Sequence, residues 1–146
     1  MKALVIYDSQ YGNTEKIARA IGGAITGEVK VLRSSEVNIA DLHSFDLIVA
    51  GAPTYGGRPM PPLMEFFKKL PDGALNGKKV AAFDTRLAST FAKIFGYAAP
   101  KIAANLKDKG GAVIAQGEGF LVSGGKVPVL KEGELERAAA WGKTLK

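Results

Sequence analysis

The sequence predicts an α/β domain with one doubly wound, five-stranded parallel sheet and helices on both of its faces. Three observations support this prediction. Short apolar runs alternate along the chain with segments whose apolar residues recur at helical spacing. The runs are continuous, which is typical of strands that are buried on both sides. The 146 residues also fit one domain, residues 1–146, because no linker, repeat or low-complexity tract divides them.

The apolar runs predict five strands. In chain order they cover residues 3–6, 28–32, 45–50, 79–83 and 112–115. The third strand is expected to end at Gly51 and the fourth at Phe83. The fifth is open to an interruption at Gly117, after which it resumes at residues 120–122.

Apolar residues at helical spacing predict four helices. They cover residues 13–22, 61–69, 98–109 and 134–145. Pro61 and Pro62 suit the first turn of the second helix, where a backbone N–H has no partner within the helix. The third helix is expected to end at Gly110. Residues 85–97 fit either a short helix or an ordered loop, and loops of this length often carry function.

The composition excludes several kinds of redox and metal site. The chain contains no cysteine, which excludes disulfides, thiolate metal sites and a CxxC redox pair. Redox chemistry would therefore require a bound cofactor. The single histidine, His43, is assigned to the surface or to a structural role, and no metal site is predicted.

The net charge of +6 is spread along the chain. No block of five basic residues occurs, so nucleic-acid binding is not predicted. The pairs Lys68-Lys69 and Lys78-Lys79 leave open a docking surface for an acidic partner. No apolar run approaches the roughly 18 residues of a membrane span, and the first residues lack the features of a signal peptide. We therefore expect no membrane insertion and a cytoplasmic location.

The strongest chemical signal is the loop between the first strand and the first helix. Its residues are Ser9, Gln10, Tyr11, Gly12, Asn13 and Thr14. Such a loop can point backbone N–H groups at an anion, at the positive end of the helix dipole. Gly12 permits a close approach of the backbone, and the hydroxyl and amide side chains add donors for a phosphate. The pattern is neither GxGxxG nor a P-loop. A helix cap without any ligand would use the same residue types.

Two further loops follow the third and fourth strands. The second candidate loop contains Pro53, Thr54, Tyr55, Gly56 and Gly57, and the third contains Asp84, Thr85 and Arg86. Because all three loops follow parallel strands, they should meet at one edge of the sheet, where open α/β sheets bind ligands. Tyr55 could cover a flat ring, although an ordinary turn with an exposed tyrosine is the alternative. Arg86 is equally compatible with a surface charge.

Together these loops resemble those of the flavodoxin family, in its short form, over nearly the whole chain. The phosphate loop of that family reads T/S-x-T-G-x-T, and residues 9–14 here read S-Q-Y-G-N-T. Residues 54–56, T-Y-G, match the second flavin loop of the family. The resemblance implies the strand order 2-1-3-4-5 and non-covalent binding of FMN. It places the phosphate at residues 9–14 and the isoalloxazine ring beside residues 53–57 and 84–86.

The chain departs from the family pattern in two respects. No tyrosine follows Asp84-Thr85-Arg86 until Tyr97, so the sequence assigns no aromatic side chain to the second face of the ring. Flavodoxins that carry electrons are usually acidic, whereas this chain is basic, so its partners should differ. With Arg58 and Arg86 near the ring, we expect a less negative potential for forming the anionic reduced flavin than in acidic members.

The resemblance implies a monomeric, low-potential electron carrier that works between redox partner proteins. An NAD(P)H:quinone reductase of the same fold is the alternative, so the sequence leaves open whether the protein is an enzyme. A domain that has kept the fold and lost the cofactor is a third hypothesis.

Overall fold

The computed structural model describes residues 1–55, 58–87 and 96–146. The strands in these ranges are β1 (Lys2–Tyr7), β2 (Glu28–Arg33), β3 (Leu47–Tyr55), β4 (Arg58–Pro59), β5 (Lys79–Leu87), β6 (Ala112–Val113) and β7 (Glu118–Val122). The α-helices are α1 (Asn13–Ala24), α2 (Pro61–Lys69), α3 (Ala98–Asp108) and α4 (Glu134–Lys143), and two 3-10 helices cover Ser34–Glu36 and Ile39–Ser44. The predicted helices are all present, and their ends differ from the predicted ones by at most two residues.

The main strands pair in parallel in the order β2-β1-β3-β5-β6. Both β6 and β7 pair with β5: Ala112 of β6 lies opposite Lys79, and Glu118 of β7 lies opposite Phe83. The two segments therefore share the fifth position in the sheet, with the interruption near Gly117 that the sequence indicates. This arrangement confirms the doubly wound fold and the strand order 2-1-3-4-5. The short β4 pairs in antiparallel orientation with the end of β3.

Side chains of the sheet alternate between two apolar layers, which explains the continuous apolar runs. Leu4 and Ile6 of β1 pack in the layer that contains α2 and α3. Val5 and Tyr7 pack in the layer that contains α1 and α4. Because β1 is buried on both sides in the middle of the sheet, its carboxyl end gives the loop that follows a fixed starting point.

Two strands are longer than the sequence predicts. β3 continues to Tyr55, where the prediction ends it at Gly51, and β5 continues to Leu87, where the prediction ends it at Phe83. The parallel register continues as far as Pro53 opposite Thr85, and β7 pairs with the last residues of β5. Asp84, Thr85 and Arg86 therefore belong to a strand, where the prediction placed them in a loop. Residues 88–95 of the uncertain stretch lie outside the described residues.

One predicted docking lysine is buried. The Lys78 ammonium donates to the carbonyl oxygens of Phe45, at 2.7 Å, and His43, at 3.2 Å, and the side chain is 9% exposed. It holds the turn before β3 against the start of β5, so it is not available to a partner. His43 itself is exposed, and its Nδ1 lies 2.7 Å from the carbonyl oxygen of Ala40.

The described residues contain neither a membrane-spanning helix nor a cluster of metal-binding side chains. None of the helices in those ranges combines the length and apolarity that are needed to cross a bilayer. The same ranges contain no cluster of three or more His, Asp or Glu side chains that could hold a metal ion.

Gly51 should be essential to the packing of the sheet. A Cβ at this position would lie 2.2 Å from Cζ of Phe83, a fully buried ring that packs edge-on against Phe120 and Trp141. We expect Gly51→Ala to lower the free energy of unfolding by about 1–3 kcal/mol through overpacking, measured by urea denaturation.

Gly23 provides the matched control for this substitution. It lies in α1, and a Cβ there would meet no atom within 4 Å. Gly23→Ala should raise the free energy of unfolding by about 0.5–1 kcal/mol, because alanine is the better helix former. Equal stability of the Gly51→Ala variant and the wild type would show that the Phe83 cluster can rearrange.

Candidate functional site

A cavity of about 170 Å³ opens at the carboxyl ends of the strands. The predicted residues that line it are Ser9, Gln10, Tyr11, Asn13, Thr14, Pro53, Thr54, Thr85 and Arg86. The three predicted segments therefore meet at one place, as expected for loops that follow parallel strands. Of the remaining predicted residues, Gly12 shapes the first loop and Asp84 lies buried beneath Arg86. Gly56, Gly57 and the side chain of Tyr55 lie outside the described residues.

Gly12 gives the first loop its shape. Its φ of 90° is left-handed, a conformation that residues with a Cβ rarely adopt. Its N–H donates to the hydroxyl oxygen of Ser9 at 2.9 Å, and its carbonyl accepts from Lys16 N–H as α1 begins. No side chain in the described ranges caps α1. The helix-cap alternative thus lacks its hydrogen bond, and the first turn of α1 keeps N–H groups without partners inside the helix.

Two buried hydroxyl groups join the first candidate segment to the third. Thr14 Oγ1 lies 2.8 Å from Thr85 Oγ1, and both side chains are almost fully buried. Only one hydroxyl hydrogen is used between the two oxygens, so the other remains available as a donor. Because both residues line the cavity, this donor belongs to the candidate site.

The Asn13 side chain joins the first loop to a segment that follows β7. Its amide nitrogen donates to the carbonyl oxygen of Pro128 at 2.8 Å, a contact between residues that are far apart in the chain. Behind the loop, the Arg33 guanidinium donates to the Ser9 carbonyl at 3.1 Å and lies over the Tyr7 ring. These contacts fix the loop from both sides. Tyr11, by contrast, is 47% exposed at the surface.

The end of β3 is tied to the start of α3. The Thr54 hydroxyl oxygen accepts a hydrogen bond from the Ala98 backbone N–H at 3.1 Å. This bond joins the second candidate segment to the helix that follows the third. Pro53 lies beside Thr54 in the lining of the cavity, opposite Thr85 in the register of the sheet.

Asp84 and Arg86 form a closed ion pair. Arg86 Nε and Nη2 each donate to one carboxylate oxygen of Asp84 at 2.7 Å, and Ala99 N–H donates to the same carboxylate at 2.8 Å. Asp84 is fully buried. The Arg86 guanidinium also lies 3.5 Å from the centre of the Tyr97 ring. A Cβ on Gly119 would come within 2.1 Å of the guanidinium carbon, so β7 leaves room for Arg86 only with glycine there.

This pair changes the expectation about the reduction potential. The charge of Arg86 is compensated by a carboxylate at hydrogen-bond distance, so it cannot supply the uncompensated cation on which the expectation of a less negative potential rested. The side chain of Arg58, the second cation of that argument, lies outside the described residues. Arg86 also covers one face of Tyr97, which leaves that face unavailable to a flat ligand.

Three lining residues were missed by sequence reasoning: Leu87, Val122 and Pro128. Leu87 was missed because β5 was predicted to be too short. Val122 ends the resumed fifth strand, so the rule that parallel strands end at one edge would have found it. The position of Pro128 depends on the long-range bond from Asn13, and no local pattern predicts it.

Asp8 lies directly before the first candidate loop and is 2% exposed. One carboxylate oxygen accepts from the Ser34 hydroxyl at 2.7 Å, while the other is buried without a hydrogen-bond partner among the described residues. Burial raises the pKa of Asp8, and this effect outweighs the Ser34 hydrogen bond and the attraction of Arg33, which both lower the pKa.

Replacing Asp8 by Asn should therefore stabilise the fold at pH 7. The amide oxygen can still accept from Ser34, and a buried negative charge is removed. Because the pKa is raised on folding, the carboxyl contributes stability at acid pH and loses it as the pH rises through the folded-state value. The advantage of Asp8→Asn should thus shrink as the pH falls and vanish below the ordinary aspartate pKa of 3.8.

Urea unfolding at a series of pH values measures this effect. Asp108→Asn, at an exposed position at the end of α3, is the control and should show no comparable gain. If Asp8→Asn is less stable than the wild type at pH 7, the negative charge of the Asp8 carboxylate is stabilised in the folded protein despite its unpartnered oxygen.

Comparison with known proteins agrees with this architecture. A family model described as a flavodoxin domain matches residues 4–127. A flavodoxin of Picosynechococcus sp. is 29% identical over 115 residues, which are 77% of this chain and 68% of that relative. A flavodoxin of Maridesulfovibrio salexigens is 30% identical over 89 residues, and this chain spans only 61% of its length.

A solved structure described as a flavodoxin from the domain Archaea superimposes with a TM-score of 0.83 at 26% identity. The match covers 99% of this chain and 96% of that one. The family model spans most of the sequence, including the loop at residues 9–14 and the ends of β3 and β5. The chain therefore belongs to the flavodoxin family of flavin-dependent electron carriers.

Proposed function

We propose that the cavity binds FMN non-covalently and that the protein carries electrons between redox partner proteins at low potential. One observation carries the proposal: the uncapped first turn of α1 and the buried Thr14–Thr85 hydroxyl pair belong to the same cavity. A phosphate ester at this place would meet backbone N–H groups, a hydroxyl donor and the positive end of a helix dipole. We also propose that residues 1–146 form a single domain.

The residues present fit FMN. The left-handed Gly12 leaves the loop open to an anion, and a Cβ there would meet no protein atom within 4 Å. Ser9 is buried and keeps its hydroxyl hydrogen, because its oxygen serves as the acceptor for Gly12. Such a site needs no Lys or Arg side chain to hold a phosphate, which agrees with the residue types of the loop.

The chain's own residues would hold and shield the cofactor. Ser9, Thr14 and the start of α1 bind the phosphate in this proposal. Pro53, Thr54 and the Asp84–Arg86 pair form rigid walls, because each is fixed by strand pairing or hydrogen bonds. When bound, FMN supplies the electron-transfer chemistry. Contacts of Tyr55, Gly56 and Gly57 with the ring remain predictions.

The comparisons lend no support to the quinone reductase alternative, since the matched relatives are described as flavodoxins. The two functions can be distinguished by the number of electrons that the bound flavin accepts in each step of its reduction. An electron carrier should take up two electrons in separate one-electron steps, whereas a hydride-accepting enzyme should take them up together.

The first experiment is the visible absorption spectrum of the purified protein, before and after FMN is added. We expect flavin bands, tight uptake of FMN, and two resolved steps during anaerobic reduction. Thr14→Val and Thr85→Val should each weaken FMN binding about fivefold, the equivalent of one hydrogen bond of about 1 kcal/mol.

Thr144→Val is the matched control. Its hydroxyl donates to the Trp141 carbonyl oxygen at the end of α4, and Thr144 is not among the cavity-lining residues. FMN affinity should therefore be unchanged. A wild-type protein that takes up no FMN would refute the proposed function and leave the fold intact.

We further propose a cytoplasmic monomer whose partners carry acidic docking surfaces. The supporting observation is the exposed pair Lys68 and Lys69 in the last turn of α2, on a chain of net charge +6. Lys79 adds a third exposed ammonium group, whereas Lys78 does not contribute because it is buried. Complementary charge would mainly accelerate association.

The double substitution Lys68→Glu/Lys69→Glu should slow association with an acceptor protein of net negative charge at least tenfold at low ionic strength. The difference from the wild type should disappear as salt is added, because exposed charges are screened. Lys30→Glu, on the edge strand β2, is the control. Equal slowing by the control would indicate an effect of net charge alone.

A further inference from the structure

Asp8 is a buried carboxylate at the point where β1 ends and the proposed phosphate loop begins. Its backbone N–H donates to the Gly51 carbonyl oxygen of β3 at 3.2 Å, and the residue is 2% exposed. The next residue is Ser9, whose hydroxyl oxygen accepts the Gly12 N–H inside the loop at 2.9 Å. Consecutive Cα atoms lie about 3.8 Å apart, so Asp8 lies beside the place that we assign to the phosphate.

The Asp8 carboxylate accepts a single hydrogen bond from the described residues. The Ser34 hydroxyl donates to Oδ1 at 2.7 Å, whereas Oδ2 is buried without a partner. An ionised carboxylate only accepts hydrogen bonds, so a proton on Oδ2 would break none of those that are present. The neutral form of Asp8 therefore fits this environment as well as the ionised form does.

Arg33 of β2 is the neighbouring cation, and it does not serve Asp8 alone. Its guanidinium donates to the Ser9 carbonyl oxygen at 3.1 Å and lies 3.7 Å from a carboxylate oxygen of Glu15 in α1. Its attraction lowers the pKa of Asp8 less than burial raises it. The charge of Arg33 is thus shared among several groups, and Asp8 keeps a net preference for the neutral form.

The other elements around Asp8 place their charges in solvent. Glu36 of the first 3-10 helix accepts the Arg33 backbone N–H at 2.8 Å and is exposed. On the side of α2, Glu65 and Lys69 line a surface pocket together with Ser34, and both are exposed. Water and salt screen such charges, so none of them offsets the burial of Asp8.

A phosphate in the loop would add negative charge beside this carboxylate. Like charges disfavour the ionised form of a carboxyl group, so the pKa of Asp8 should be higher with FMN bound than without it. By linkage, FMN binding then draws a proton onto Asp8, and the protonated protein binds FMN more tightly than the ionised protein does. Riboflavin has the same ring and ribityl chain and no phosphate, so it should leave Asp8 unchanged.

We propose that Asp8 is an affinity-determining residue for the cofactor: its ionised form opposes the FMN phosphate, and a proton taken from water onto Oδ2 removes that opposition. Asp8 does not line the cavity, so it acts through its charge and not through contact with the flavin. The proposal rests on the proposed function, since it requires that the loop bind a phosphate.

The test compares the dissociation constants of FMN and riboflavin, measured by flavin fluorescence, in the wild type and Asp8→Asn. At pH 8 a phosphate monoester, with a second pKa of about 6, is fully ionised. Asp8→Asn should then bind FMN about tenfold more tightly than the wild type, the effect of a pKa displacement of about one unit. Riboflavin should bind equally to both proteins. As the pH falls, their FMN affinities should converge, because Asp8 of the wild type becomes protonated.

Two further variants separate this effect from a general change in charge or folding. Asp108→Asn removes the same charge from an exposed position on α3 and should leave FMN affinity unchanged at every pH. Ser34→Ala removes the hydrogen bond that favours the ionised form of Asp8. Its FMN affinity should equal that of the wild type at acid pH, and should begin to weaken only at a higher pH than in the wild type.

Infrared difference spectroscopy of the wild type gives a readout that needs no variant. At a series of pH values, FMN should increase the C=O stretching band of protonated carboxyl groups more than riboflavin does. Both ligands carry the same ring, so the difference between their spectra isolates the protein carboxyl.

The proposal is overturned if FMN and riboflavin give the same carboxyl band at every pH. It also fails if Asp8→Asn leaves FMN affinity at pH 8 unchanged, tightens riboflavin binding equally, or is matched by Asp108→Asn. Any of these results in a protein that binds FMN would leave the proposed function intact. A wild-type protein that binds neither flavin would overturn the proposed function itself.

Discussion

The parallel pairing of β3 with β5 is the constraint on which the candidate site depends. The register joins Leu47 to Lys79 at one end and Pro53 to Thr85 at the other, without a break. Because that register is continuous, Thr85 is carried to the edge of the sheet, where its hydroxyl reaches Thr14 of the neighbouring loop. A shift by one residue would turn Thr85 to the opposite face and bury Arg86 among apolar side chains.

Two buried carboxylates near the site differ in their hydrogen-bond partners. Asp84 accepts hydrogen bonds from two guanidinium nitrogens and one backbone N–H, so its charge is fully compensated. Asp8 accepts one bond from a neutral hydroxyl, and burial raises its pKa. The first carboxylate stabilises the wall of the cavity, whereas the second is a cost in stability at the foot of the loop that we assign to phosphate.

The fold and the place of the site were predictable from sequence because they follow from local patterns. Continuous apolar runs indicate strands buried on two sides, and the order of strands and helices brings residues 9–14, 53–54 and 85–86 to one edge. The length of β5 was not predictable, since Asp84 and Arg86 are polar and can be buried in a strand only because they pair with each other between β7 and α3. Lys78 and Lys79 look alike in sequence, and only the carbonyl groups of the turn before β3 distinguish them.

The contact between Arg86 and Gly119 links two positions that are far apart along the chain. Glycine at 119 is required by the bulk of the guanidinium group, and Arg86 in turn neutralises Asp84. In sequences that descend from this one, replacement of Arg86 would leave the buried Asp84 carboxylate without its counter-charge. A side chain at position 119 would displace the Arg86 guanidinium group. Positions 84, 86 and 119 are therefore expected to change together during evolution, as one inherited unit.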